Sequence, residues 1–170
     1  MALIRIAPTG FVSSANLPPK VRGAADAKAA GAGAAVADHQ HVGKCLCGAV
    51  TYRATGLADI WYCHCTQCRS LTGHYLAACR TERDQIAVSG DVIWSSHSGT
   101  SEHGRCARCG SVLFWANRRT DFVSILPGSL ESSEGIAVRG HLYVAEKGAY
   151  YEINDGLPQF ETYPQEGLTA

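Results

Sequence analysis

The sequence predicts a mainly β domain behind a disordered leader, and three observations predict it. From Gly43 onward, short runs rich in β-branched and aromatic residues recur, with a glycine about every ten residues, the rhythm of strands and turns. No segment sustains helical spacing of its apolar residues. Hydrophobic residues make up 46% of the 170 and charged residues 18%, a globular balance with enough material for one core in one domain.

Residues 1–42 carry Pro8, Pro18, Pro19 and the stretch AADAKAAGAGAAVAD, with few large apolar side chains to bury, so they read as a disordered leader. Low acidity and scattered Arg and Ser also fit, less well, an organelle transit peptide. Residues 43–165 form the folded unit. Its predicted strands are Ala49–Ala54, Ile60–Cys63, Tyr75–Cys79, Ile86–Val88, Val92–Ser95, Val112–Trp115, Phe122–Leu126, His141–Val144 and Tyr150–Ile153. Ser89-Gly90-Asp91 reads as a hairpin turn, and Asn154-Asp155-Gly156 as a second turn ahead of Pro158. One helical turn is expected around Thr66–Leu71.

Fifteen basic residues balance fifteen acidic ones and no dense Lys/Arg stripe is present, so no nucleic-acid partner is expected. No apolar run is long enough to span a bilayer, and no membrane association is expected either. The first eight residues, MALIRIAP, have their apolar stretch cut by Arg5 and Pro8, unlike a secretory signal, which makes the reducing cytoplasm the default location.

Eight cysteines are many for this length, and their spacing decides their chemistry. They fall as Cys45 and Cys47 in KCLCG, Cys63, Cys65 and Cys68 in YCHCTQCRS, and Cys106 and Cys109 in RCARCGS, with Cys79 apart. In an extended segment residues i and i+2 point to one side, so Cys-x-Cys delivers two sulfurs to one point, and Cys-x-x-Cys before glycine does the same through a tight turn. A structural zinc takes four sulfurs in a tetrahedron; a catalytic one keeps three protein ligands and an open position. Seven clustered cysteines therefore divide into four and three. Spacing does not dictate which clusters combine, but two pairs, Cys45, Cys47, Cys106 and Cys109, make one closed zinc site. Cys63, Cys65 and Cys68 suffice for a second, open one. Disulfides compete poorly, because Cys-x-Cys neighbours bridge badly. The triplet also permits a second structural site completed by His64, His74 or a distant side chain. A redox role for Cys65-Thr-Gln-Cys68 lacks the βαβ pattern it needs, and Cys79 in the apolar run YLAAC reads as a buried small hydrophobe.

Taken together, GKCLCGAVTY, CHCTQCRSLTG, RCARCGSVLFW and HLYVAEKGAYYEINDGLPQFETYP resemble, in order and approximate spacing, the glutathione-dependent formaldehyde-activating enzyme family, which includes the centromere protein V type of domain. The resemblance covers Gly43 to about Pro164. It implies an Mss4-like, zinc-stapled β fold, two Zn2+ per chain and the same division of cysteines, with a structural zinc on the four and a second on the three. It implies S-(hydroxymethyl)glutathione synthase activity, a carbon–sulfur lyase reaction on glutathione and formaldehyde. The alternative is a non-catalytic zinc-stabilised module that binds protein or chromatin.

No catalytic side chain is assigned beyond the metal ligands. Glutathione carries two carboxylates, so Arg69, next to Cys68, is the first candidate anchor, with Lys147 and Arg105 behind it; charge balance for the thiolates is its equal alternative. Thr72 and His74 follow the triplet and complete the candidate substrate-binding set. His64, between two ligands, is expected to point away from the metal. Tyr150, Tyr151, Pro158 and Phe160 read as core and turn.

Overall fold

A computed structural model describes residues 39–96 and 99–164. Of the leader expected over residues 1–42, positions 1–38 lie outside the described residues, whereas His41 and Val42 are ordered, paired to Ala54 and Arg53 as the start of a strand. Among the described residues eleven strands form two sheets: β1 (His41–Lys44), β2 (Thr51–Ala54), β3 (Ile60–Cys63), β4 (Leu76–Glu82), β5 (Ile86–Ser89), β6 (Val92–Ser96), β7 (Ser101–Cys106), β8 (Val112–Asn117), β9 (Phe122–Ile125), β10 (Val138–Leu142) and β11 (Gln159–Phe160). The fold is mainly β, as the rhythm of short apolar runs predicts. Among the described residues no helix is long and apolar enough to cross a membrane.

The smaller sheet is antiparallel, in the order β1-β2-β5, and the larger runs β11-β10-β3-β4-β9-β8-β7-β6. In the larger sheet β10 is parallel to both β3 and β11, and the other neighbours are antiparallel. The core lies between the sheets. Leu113, Phe114, Ala116, Val123 and Ile125, all at 0% exposure, make β8 and β9 its centre, and Tyr52 and Ala54 of the small sheet join them, with Val50 just before β2. The Tyr52 ring packs edge-on against Phe114 and across Gly43 of β1, where an added Cβ would meet the ring at 2.2 Å. Its hydroxyl bonds Ser129 Oγ at 2.7 Å, as a buried phenol must find a partner.

Several further expectations are corrected. Ser89-Gly90-Asp91 does turn the chain, with Gly90 at φ 98°, but it does not close a hairpin: β5 pairs with β2 and β6 with β7, so the turn passes the chain from one sheet to the other. Residues 150–153 form a turn and irregular backbone in place of a strand, because Tyr150 and Tyr151 leave the sheet to pack beside His74. β10 ends at Leu142, two residues earlier than expected, because Tyr143 adopts the left-handed conformation (φ 60°, ψ 40°) that starts a 3-10 turn over Val144–Glu146. The expected helical turn is longer: α1 spans Thr66–Thr72, capped by Cys65 at its start and by left-handed Gly73, whose N–H bonds Arg69 O at 2.8 Å.

Candidate metal centres

Two tight loops build the first centre. Cys45 closes one with its N–H on Val50 O at 2.9 Å, and Cys106 closes the other with its N–H on Ser111 O at 2.9 Å. Gly48 and Gly110, at φ 74° and 75°, supply the left-handed residues that let each loop double back. Cys45 to Cys47 is thus a turn, not the extended segment that Cys-x-Cys suggests, and its two sulfurs converge because the loop folds round them. The Leu46 N–H bonds Ser111 Oγ at 3.2 Å and fastens the loops together. The Sγ atoms of Cys45, Cys47, Cys106 and Cys109 all lie within 4.8 Å of one another. Separations of 3.5 Å (Cys45–Cys47) and 3.9 Å (Cys47–Cys106) bracket the roughly 3.8 Å edge of a tetrahedron with zinc–sulfur bonds of about 2.3 Å. Cys45 and Cys106 are buried while Cys47 and Cys109 face solvent.

The second group is local. Cys63 ends β3, Cys65 caps α1 in extended backbone (φ −59°, ψ 154°), and Cys68 comes round on the first turn of the helix, its N–H donating to Cys65 Sγ at 3.5 Å. The three Sγ atoms again lie within 4.8 Å of one another, and among the described residues no fourth Cys, His, Asp or Glu joins them. Both groups can hold a metal ion. All eight cysteines are free thiols, and Cys79 belongs to neither group: it is 1% exposed, bonds Ile125 O through its Sγ, and burial pushes its pKa up to about 12.

Within the triplet the sulfurs compete for one negative charge. Hydrogen bonds from Cys63 and Cys68 draw the Cys65 thiol well below the ordinary range, while contact with Cys65 raises Cys63 and contact with Cys63 raises Cys68. In the other group a hydrogen bond from Ser111 lowers Cys109. A dication satisfies all the sulfurs of a group at once, which is the chemistry the donor sets fit.

Arg69 folds back over the triplet, with Nε on the His64 carbonyl at 3.2 Å and a second nitrogen on Thr66 Oγ1 at 3.4 Å, so its charge sits on the ligand segment. The Thr72 hydroxyl bonds the Cys68 and His74 carbonyls and closes the end of α1. His74 is exposed, its ring 4.3 Å from that of Tyr151 and 4.4 Å from that of Tyr75. Lys147 reaches the Gly148 and Tyr151 carbonyls and lies over the Tyr151 ring, and Arg105, on β7 next to Cys106, stands beside the four-cysteine group. His64 points into the protein and is 0% exposed. Burial, then the charges of His141, His74 and Lys147, lower its pKa to about 4. Tyr150 is 62% exposed, too far out for the core expected of it, and its hydroxyl donates to Gly73 O at 3.1 Å.

Sequence reasoning assigned no site role to Tyr143 and Glu146. The Glu146 carboxylate accepts the Thr66 N–H at 2.7 Å, directly after Cys65, and the charges of Cys63 and Cys65, after burial, raise the Tyr143 phenol. The signal was the polar character of HLYVAEKG, whose register the parallel pairing sets by placing Leu142 opposite Cys63. A groove of about 500 Å³ opens between Thr72 and Tyr75 on one side and Lys44, Cys45 and Glu131 on the other.

No curated protein matches the chain. Among solved structures, a crystal structure of a Rhodobacter sphaeroides protein is similar at 23% identity, covering 57% of this chain and 97% of that one, with a TM-score of 0.48. Residues 40–146, with both cysteine groups inside them, match the family described as glutathione-dependent formaldehyde-activating enzyme, and the chain belongs to that family.

Proposed function

We propose that the chain is a zinc-dependent carbon–sulfur lyase of the S-(hydroxymethyl)glutathione synthase kind, with residues 43–165 as its zinc-binding unit. In this reading Cys45, Cys47, Cys106 and Cys109 hold a structural zinc, and Cys63, Cys65 and Cys68 hold a catalytic one. The observation that carries it is the triplet: three sulfurs converge where the described residues supply no fourth ligand, the donor count of a catalytic rather than a structural zinc. When bound there, zinc supplies the positive charge that lets a thiol lose its proton at neutral pH.

In the addition, the glutathione sulfur forms a bond to the formaldehyde carbon, the carbonyl π bond opens onto oxygen, and the thiol proton ends on that oxygen. The chain's residues position the partners. Arg69, bonded across the ligand segment, balances the negative charge of the sulfurs and offers an edge to a glutathione carboxylate. Tyr143, kept protonated by burial and by the thiolates of Cys63 and Cys65, supplies a hydroxyl that can hydrogen-bond the developing oxyanion. Thr72 and His74 border the approach, and the groove beyond Thr72 has the volume of a small-molecule site. A reducing cytoplasm, where glutathione is abundant, keeps the thiols available.

The test mixes glutathione and formaldehyde with the purified chain and follows the adduct's methylene signal by exchange NMR. Acceleration over the uncatalysed reaction that disappears in Cys65→Ser supports the assignment. Equal rates with and without protein would contradict it and favour the binding-module reading.

A further inference from the structure

Four polar side chains form one continuous chain behind the triplet. The Tyr151 hydroxyl lies 2.7 Å from His64 Nδ1, His64 Nε2 lies 2.8 Å from His141 Nδ1, and His141 Nε2 lies 3.0 Å from both carboxylate oxygens of Asp155. His64 and His141 are 0% and 1% exposed, whereas the Asp155 side chain is 42% exposed. His64 is held at its backbone as well, its N–H on Leu142 O at 2.9 Å.

We propose that Asp155 and His141 are positioning residues for the triplet, acting through His64 to pre-set the sulfurs of Cys63 and Cys65. His64 stands between those two cysteines, and in extended backbone neighbouring side chains point to opposite sides. A ring fixed on the inner side at both nitrogens sends both flanking sulfurs outward together, towards Cys68. The carboxylate can only accept, so His141 Nε2 carries the hydrogen and its Nδ1 is bare. His64 Nε2 then donates to that nitrogen, and His64 Nδ1 accepts from Tyr151. One carboxylate thereby fixes two tautomers and the direction of a hydroxyl. Asp155 and Tyr151 both lie after the 3-10 turn over Val144–Glu146, so the segment that follows it helps to build the site. Outer partners of this kind tune metal affinity by about 10- to 100-fold.

The inference rests on the reading of the triplet as a metal site, and its test reads affinity in place of turnover. Zinc is withdrawn from the full-length, two-zinc protein by graded chelator. Asp155→Ala, which truncates a partly exposed side chain, is expected to weaken the more labile zinc about 10-fold or more and to leave the tighter one unchanged. Asp155→Asn, whose amide oxygen still accepts from His141, is expected to recover most of that loss. Imidazole nitrogen NMR is expected to show Nε2–H tautomers at both histidines in the wild type and loss of the fixed tautomer at His141 in Asp155→Ala. Labile-zinc affinity in Asp155→Ala within twofold of wild type, or loss of both zincs in parallel, would overturn the proposal while leaving the lyase reading intact. A wild type that holds a single zinc would overturn both.

Discussion

The two cysteine groups use one chemistry in opposite structural ways. The first gathers pairs 59 residues apart, Cys47 and Cys106 among them, and ties two loops that no strand pairing joins directly. The second takes its donors from one strand end and the helix that follows, so it closes almost no chain. On the proposed assignment, metal at the first acts on the folding equilibrium, while metal at the second acts on whatever meets its open side. The surroundings differ as well: loop glycines and Ser111 back the first, whereas Tyr143, Arg69 and a buried histidine pair surround the second.

The largest effect separates the groups outright. Cys106→Ser is expected to remove stabilisation on the order of 10 kcal/mol, judged from zinc-finger peptides, and to abolish the cooperative unfolding transition in urea. Cys65→Ser is expected to retain that transition while glutathione binding falls below detection in calorimetry. Unfolding by both variants would erase the distinction.

A smaller effect comes from pH. His64 has a folded pKa of about 4 against an ordinary value near 6.5, so its contribution is complete above pH 6.5 and is lost as the pH falls towards 4, where the unfolded chain binds the extra proton. Urea midpoints are expected to decline across that window, by up to about 3 kcal/mol. A flat profile from pH 7 to 5 would place His64 outside a desolvated site. The smallest effect is a control: Cys79→Ala is expected to cost about 1 kcal/mol in urea unfolding and to leave the metal content unchanged, since its thiol bonds Ile125 O and belongs to neither cysteine group.

Much of the fold was legible because local pattern and environment agree. Ile60–Cys63 is a strand with the predicted bounds, and Val112–Asn117 and Phe122–Ile125 deviate only at their ends. β7 was not legible: Ser101–Cys106 reads SEHGRC, polar enough for a loop, yet Glu102 and His103 are buried in it, at 4% and 2% exposure. The Glu102 carboxylate meets Arg118, a partner from the next strand's far end that no local window shows. β1 was hidden by its neighbours, since His41 and Val42 follow a stretch that looks like leader, and their pairing to Arg53 and Ala54 is what makes them a strand.

The candidate site divides along the same line. Cysteine clusters announce themselves, since each convergent pair or triplet is a local motif. The chain behind the triplet does not, because His64 meets residues 77 and 87 positions away, joined only by the parallel register of β3 and β10 and the turn that follows. That Arg69 folds onto His64 O, and that Thr72 caps its own helix, are likewise consequences of α1 ending at Gly73, which sequence spacing alone does not convey.

The most direct measurement is zinc per chain in the wild type and in Cys65→Ser, with the fold of each followed by near-ultraviolet circular dichroism. Two zincs are expected to fall to one in a variant that keeps its native spectrum. One zinc in both proteins, or a variant that loses its fold together with both metals, would contradict the division into a closed stabilising centre and an open chemical one.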